Sequence, residues 1–218
     1  MGNKQFAVIG IGRFGASLIK ELVSLGHEVL AVDNNPDKIN KAVDFATHAV
    51  EADAMDEGVL KALGIRNFDV VIVSIGANLQ ANILTTVMLK EIGVKKIVAK
   101  AQDDLHGRVL ERIGADLVVY PERDMAVKIA NSLSSDSILD YIELSPMYSL
   151  VELHAPTRFI NKTLAESDFR NKFGINILAV RRNSEVIVSP PADEKVLEGD
   201  DLVILGHDDE IQRFSRLE

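Results

Sequence analysis

Cysteine is absent from the chain, and tryptophan with it. Without a thiol there is no disulfide framework, no Cys-type zinc site and no thiol nucleophile. The five histidines, His27, His48, His106, His154 and His207, are scattered without metal-ligand spacing and read as surface or strand-end residues. Basic charge is in deficit: 24 Lys and Arg face 33 Asp and Glu, a net charge of −9. That balance argues against non-specific nucleic-acid binding, because phosphate neutralisation needs a basic surface. No apolar run approaches the ~20 residues of a membrane span, and no secretory signal opens the chain. Met1-Gly2 has the start of a myristoylation signal, but Phe6 stands where Ser or Thr is required. The expectation is a soluble protein. Its 218 residues, 47% of them hydrophobic, allow one large domain, or a medium one with a small one.

Glycine, by contrast, is present where it carries information. Phe6-Ala7-Val8-Ile9 is a continuous apolar run, as expected of a parallel strand buried on both faces. Gly10, Gly12 and Gly15 follow at G-x-G-x-x-G spacing. Gly10 permits a tight turn, Gly12 lets a phosphate approach the backbone, and Gly15 lets the next helix pack closely on the strand. Leu18, Leu22 and Leu25 then recur at helical spacing, and Gly26 is placed to stop the helix. The N-terminus of that helix aims unpaired N–H groups at an anion above the glycines. Glu28 to Val32 is a second strand ending at Asp33, about 20 residues past the glycines, where an acid can accept both ribose hydroxyls. The same acid argues against NADP, whose 2′-phosphate would meet like charge.

Arg13 stands in the first helical turn, where a cation opposes the helix dipole. It is either an exposed side chain whose stem covers apolar surface, or a guanidinium held over phosphate oxygens. A ligand more highly charged than NAD, such as ATP, would use the second arrangement.

Further along, Asn34-Asn35-Pro36 turns the chain into a helix, with Asn35 as N-cap and Pro36 at N1. Strands are expected at Thr47 to Val50, Asp69 to Ser74, Lys96 to Ala101 and Asp116 to Tyr120. Helices are expected from Met55 to Leu63, after Ile75-Gly76-Ala77-Asn78, and around Leu105 to Ile113. The helix carrying Ile83, Leu84, Val87 and Met88 is apolar over a wide arc, which predicts cover on two sides. Six strands alternating with helices specify an α/β fold, a Rossmann-like doubly wound parallel sheet, whose ligands bind beyond the carboxyl ends of the strands. Asp33, Asp53, Asn78, Lys100 and Glu122 fall there. Asp53 could accept an adenine amino group and Lys100 could reach phosphate, although each also fits a capping or solvated role. Pro121-Glu122-Arg123-Asp124 is ordinary helix-start chemistry.

From Met125 the pattern changes. Met125, Ile129 and Leu133 line one helix, Ser134-Ser135-Asp136 interrupts, and Ile138, Leu139, Tyr141 and Ile142 line another. With a complete sheet behind them, these two helices read as a dimer contact or a hinge, the dimer contact being preferred. A small α+β module follows. It has a strand at Ser149 to His154 and a helix from Leu164 to Phe173. A hairpin of Asn176 to Arg181 with Glu185 to Val188 turns at Asn183-Ser184. The last elements are a strand at Asp201 to Leu205 and a closing helix at Asp208 to Phe214.

The GIGRFG loop, Asp33, the IGAN segment, the AKAQ strand end and the PERD helix start together resemble the RCK regulators of potassium transport, also called KTN or TrkA-type. Within them the chain is most similar to the soluble Ktr gating subunits, over its whole length. The resemblance implies a nucleotide-binding RCK-N domain at 1–123, crossover helices for dimerisation at 124–145, and an RCK-C (TrkA-C) module at 146–218. It implies dimers assembling into an octameric ring on the cytoplasmic face of a dimeric membrane potassium channel, and no enzymatic activity. ATP or ADP, with NAD or NADH as other occupants, would fill a crevice formed by Gly10, Gly12, Arg13, Phe14, Gly15, Asp33, Asn34, Asn35, Asp53, Ala54, Ile75, Gly76, Ala77, Asn78 and Lys100. Arg13 would contact terminal phosphates, Asp33 the ribose, and Asp53 with Ala54 the adenine. Glu122 would help hold magnesium or calcium near the phosphates. In the C-terminal module, Arg170, Asn176 and Ile177 resemble a cyclic di-AMP site.

An NAD-dependent oxidoreductase is the competing class. The sequence offers it no evident acid/base pair and only a small second module. A redox-sensing transcription factor would need a basic DNA-reading module, which neither end supplies.

Overall fold

The structure, a computed structural model, describes residues 3–133 and 138–217. The chain divides into two compact units, Met1–Pro121 and Glu122–Glu218. In the first, six parallel strands run in the order β3-β2-β1-β4-β5-β6. They are β1 (Gln5–Ile9), β2 (Glu28–Asp33), β3 (His48–Glu51), β4 (Val70–Val73), β5 (Ile97–Lys100) and β6 (Leu117–Val119). The strand order reverses between β1 and β4, and such a switch point opens a crevice at the carboxyl ends.

Both faces of this sheet are covered, and the strands show it residue by residue. Ala7 and Ile9 enter one core with Val71, Val73, Ile97, Leu60, Leu89 and Leu110. Val8, between them, enters the other with Val29, Ala31, Ile72, Ile19 and Ile39. Helices α1 (Arg13–Ser24) and α2 (Pro36–Ala42) therefore lie on one face. On the other lie α3 (Glu57–Ala62), α4 (Leu79–Ile92) and α5 (Asp104–Arg112). Side chains of Asn35, Asp56, Asn78 and Asp103 cap α2 to α5 by accepting backbone N–H groups. The wide apolar arc of α4 is covered on one side only within this unit: Ile83 and Met88 pack on the core, while Leu84 is exposed.

Helix α6 (Pro121–Leu133) follows, and the second unit continues as a five-stranded antiparallel sheet, β10-β9-β11-β8-β7. Its strands are β7 (Ile138–Ser145), β8 (Tyr148–His154), β9 (Asn176–Arg182), β10 (Glu185–Val188) and β11 (Asp201–His207). The second expected crossover helix is thus a strand. A register shift between Ile138 and Asp140 lets Ile138 and Tyr141, three residues apart, both face the core, and a second shift follows at Glu143/Ser145. Bulges of this kind hide the period of two that marks a strand. The interruption read at Ser134-Ser135-Asp136 lies outside the described residues.

The helix expected from Leu164 to Phe173 is also two: α7 (Leu164–Ser167), with a Thr163/Glu166 capping box, and α8 (Phe169–Phe173). Asp168, at φ 50°, adopts the left-handed conformation between them, which Asp tolerates better than most residues. Phe159, Phe169, Phe173 and Phe214, the last from α9 (Asp208–Ser215), form an aromatic cluster under the sheet with centroids 4.8–6.4 Å apart. At one edge Arg182 forks onto the fully buried carboxylate of Asp200, 2.9 Å from each oxygen, and also reaches Glu194 at 3.1 Å. This pairing raises the pKa of the guanidinium, Asp200 contributing most.

Candidate functional site

The three glycines differ in what surrounds them. Gly10 has φ +97°, its N–H donates to Val32 O at 2.7 Å, and a Cβ there would lie 2.9 Å from the backbone of Ser74 and Ile75. A Cβ on Gly15 would sit 2.3 Å from Gly10 O. Both glycines are fixed by the protein's own packing. Gly12 is not: it has ordinary extended backbone, and a Cβ there would meet nothing within 4 Å. It is also the N-cap of α1, where no side chain caps the helix and no acid stands in the first turn. The result is a cradle of uncapped N–H groups beneath open space, with the positive end of the helix dipole facing it.

Three cations stand on the elements around this cradle. Arg13 is exposed at N1 of α1. Lys100, at the end of β5, reaches to 5.9 Å from the half-buried Phe14 ring, and its Nζ lies 3.7 Å from the point where a Gly76 Cβ would stand. The third, Lys38 on α2, forms an ion pair with Asp33 at 3.0 Å. Asp33 is buried at the end of β2 and also accepts the Ile11 N–H at 2.6 Å and the Asn35 N–H at 3.0 Å. It therefore holds the glycine loop to the start of α2.

The remaining predicted residues of the first unit fall at neighbouring strand ends. Asn34 and Asn35 are exposed, and Asn35 accepts from the Asp37 and Lys38 amides. Asp53 is exposed past β3, where its carboxylate accepts the Met55 N–H at 2.9 Å. Ala54 is buried, and its carbonyl accepts the Thr85 hydroxyl at 3.2 Å. Ile75 and Gly76 are half-buried, Ala77 is exposed, and Asn78 caps α4. Glu122 lies on the exposed first turn of α6, at the start of the second unit. In that unit Arg170 is exposed on α8 and Asn176 begins β9. The Ile177 side chain packs on the module's own core.

Some residues that shape the crevice carry no motif. Asn82, fully buried on α4, donates to Ile75 O at 2.8 Å and Lys100 O at 3.1 Å, tying the ends of β4 and β5 together. Gln102 donates its amide to Gly76 O, and its backbone N–H is accepted by Nδ1 of the buried His106 at 3.3 Å. Burial lowers the pKa of His106, against a smaller opposing pull from Asp103. Lys38 had one legible sign, its place five residues after Asp33 in the first turn of an Asn-capped helix.

The sequence matches the TrkA-N domain family over residues 6–121 and the TrkA-C domain family over residues 148–218. It is 53% identical to Ktr system potassium uptake protein C of Bacillus subtilis, covering 98% of this chain and 97% of that one. Identity to Ktr system potassium uptake protein A of the same organism is 52%, over 97% and 96% of the two chains. Among solved structures the fold is similar to the GsuK channel, with a TM-score of 0.70 at 21% identity, covering 99% of this chain and 39% of that one.

Proposed function

The chain belongs to the TrkA-N/TrkA-C family, and from that premise we propose that it is the cytosolic nucleotide-binding regulatory subunit of a membrane potassium-uptake system. The observation that carries this reading is the cradle at Gly12, uncapped and unobstructed beside Asp33, in a chain similar end to end to Ktr uptake proteins. Those relatives are named as uptake proteins, which favours a regulator over an NAD-dependent oxidoreductase. Among the described residues no helix is long and apolar enough to cross a membrane. A partner would supply the ion path, and this chain would sit against it from the cytoplasmic side.

In this reading the phosphates of ATP or ADP lie over Gly12 with Arg13 at their terminal end. Asp33 accepts the ribose, Asp53 and Ala54 meet the adenine, and the Ile75–Asn78 loop and Lys100 close the far wall. Among the described residues no group of three or more His, Asp or Glu could hold a metal ion. A divalent ion, magnesium or calcium, would be held mainly by phosphate oxygens with one added carboxylate, a part that the family resemblance gives to Glu122. Exposed Met125, Ile129 and Leu133 on α6, with Leu139 and Ile142 on β7, would pair subunits into dimers that build an octameric ring. If cyclic di-AMP binds the second unit, Arg170 and Asn176 would meet it through side chains and Ile177 through its backbone.

ATP and ADP share ribose and adenine, so a switch between them must be read at the γ-phosphate, by differential affinity. Calorimetry with ATP, ADP, NAD and NADH on the parent and on Arg13→Ala tests this. The parent should bind ATP and ADP, and the variant should keep ADP affinity while losing its preference for ATP. Absence of adenine-nucleotide binding in the parent would end the proposal.

A further inference from the structure

Asp33 is more heavily engaged than a ribose acceptor needs to be. Oδ2 accepts from the Ile11 amide at 2.6 Å and from the Lys38 ammonium at 3.0 Å, and Oδ1 accepts from the Asn35 amide at 3.0 Å. An ionised carboxylate offers about four lone-pair positions. Three are filled, and a ribose brings two hydroxyl donors. Something must leave.

The two amides cannot. Ile11 is buried next to Gly10, whose own N–H is bonded to Val32 O, and Asn35 is the N-cap of α2. Lys38 can. Its side chain is 45% exposed against 4% for Asp33, and its flexible stem lets the ammonium turn into water.

We propose that Lys38 occupies the ribose subsite of the nucleotide-free protein and is displaced when both hydroxyls bind, so that it sets the preference for ribose over 2′-deoxyribose. This rests on reading the crevice as a nucleotide site. A ligand with one hydroxyl takes the remaining lone pair and leaves Lys38 in place. The second hydroxyl gains its hydrogen bond less the ion pair it breaks. Salt screens this pair through its half-exposed Lys38 end, so the ribose preference should rise with ionic strength even as phosphate contacts weaken.

The test compares ADP with 2′-deoxy-ADP by calorimetry on the parent, Lys38→Met and Lys38→Arg, at low and high salt. The ratio of the two dissociation constants cancels what phosphates and adenine contribute. It should be about two- to fivefold larger in Lys38→Met than in the parent, the range of an exposed ion pair, and near parental in Lys38→Arg. It should climb with salt in the parent and stay flat in Lys38→Met. Thermal unfolding checks the fold: Lys38→Met should melt somewhat below the parent, because buried Asp33 loses its cation but keeps the Ile11 and Asn35 amides. A ratio in Lys38→Met equal to or below the parent's overturns the inference while leaving the nucleotide site standing. So does a ratio of one throughout. If ADP fails to bind the parent at all, the functional reading falls first and this inference with it.

Discussion

Substituting alanine at Gly10, Gly12 and Gly15 in turn separates what the fold requires from what the ligand requires. At Gly15 the new methyl would lie 2.3 Å from a backbone oxygen. That oxygen can move only by displacing the loop, an overpacking cost of about 1–3 kcal/mol or more. At Gly10 the contact is 2.9 Å to backbone and φ is +97°, and left-handed backbone alone costs a non-glycine residue roughly 1–2 kcal/mol. Each variant should melt several degrees below the parent. At Gly12 the methyl meets nothing within 4 Å and the backbone is unstrained. The poorer N-cap and the less flexible unfolded chain oppose each other at under about 1 kcal/mol, so the melting point should barely move. The methyl nevertheless points where a phosphate would approach. Pushing a phosphate off even one charge-assisted N–H bond forfeits about 1.5–3 kcal/mol, or roughly 10- to 100-fold in ADP affinity. Scanning calorimetry without ligand and titration calorimetry with ADP give the two readouts. A Gly12→Ala variant that melts normally and binds ADP with parental affinity would refute the cradle.

His106 makes the first unit acid-sensitive. Its pKa lies below the ordinary 6.5 because of burial, so the unfolded chain takes up the proton first. The stability it confers is complete above the unfolded value and is lost as pH falls from there through the folded one. Thermal unfolding between about pH 7.5 and 5.5 should show a steeper fall in the parent than in His106→Asn; parallel profiles would exclude His106. On the assembly surface, Ile142→Asp with Ile129→Asp should give smaller species in light scattering, since both side chains are about half exposed; unchanged mass would place the contact elsewhere. Ile138 is unsuitable for this experiment, because it packs on the module's own core. Neighbouring arginines should behave differently. Arg182→Met strands the buried Asp200 and should cost about 3 kcal/mol in denaturant unfolding, whereas Arg181→Met, on the more exposed Glu152/Asp201 pair, should cost under about 1 kcal/mol. Equal losses would contradict the burial argument.

The first unit was legible because its signals are local. The run Phe6 to Ile9, the glycine spacing and Asp33 specify strand, turn, helix and strand in sequence order, and the Asn and Asp caps mark the later helix starts. Ile138, Leu139, Tyr141 and Ile142 misled because one bulge puts the core-facing Ile138 and Tyr141 three apart, which is helical spacing. Asp168 broke a helix with a conformation that no propensity announces. The chemistry hidden from the sequence was of the same kind. Asp33 reads as an acceptor waiting for ribose, but Ile11, Asn35 and Lys38 reach it through tertiary geometry. Asn82 and Gln102 act on backbone carbonyls, which leave no pattern in a side-chain sequence.

Strand β7 has a practical consequence for anyone dividing the chain. Similarity to the TrkA-C family begins at residue 148, yet β8 is paired along its length with β7, which ends at Ser145. A fragment starting at 148 would lose the Tyr141 hydroxyl that meets the buried Ser149 Oγ at 2.7 Å, and the Ile138 and Tyr141 side chains that cover the core. It would also turn β8 from an interior strand into a raw edge, a template for adding strands from other molecules. A fragment cut by homology should therefore aggregate or borrow its missing strand from a neighbour. One begun upstream of Ile138 should stay soluble and melt as a single cooperative unit.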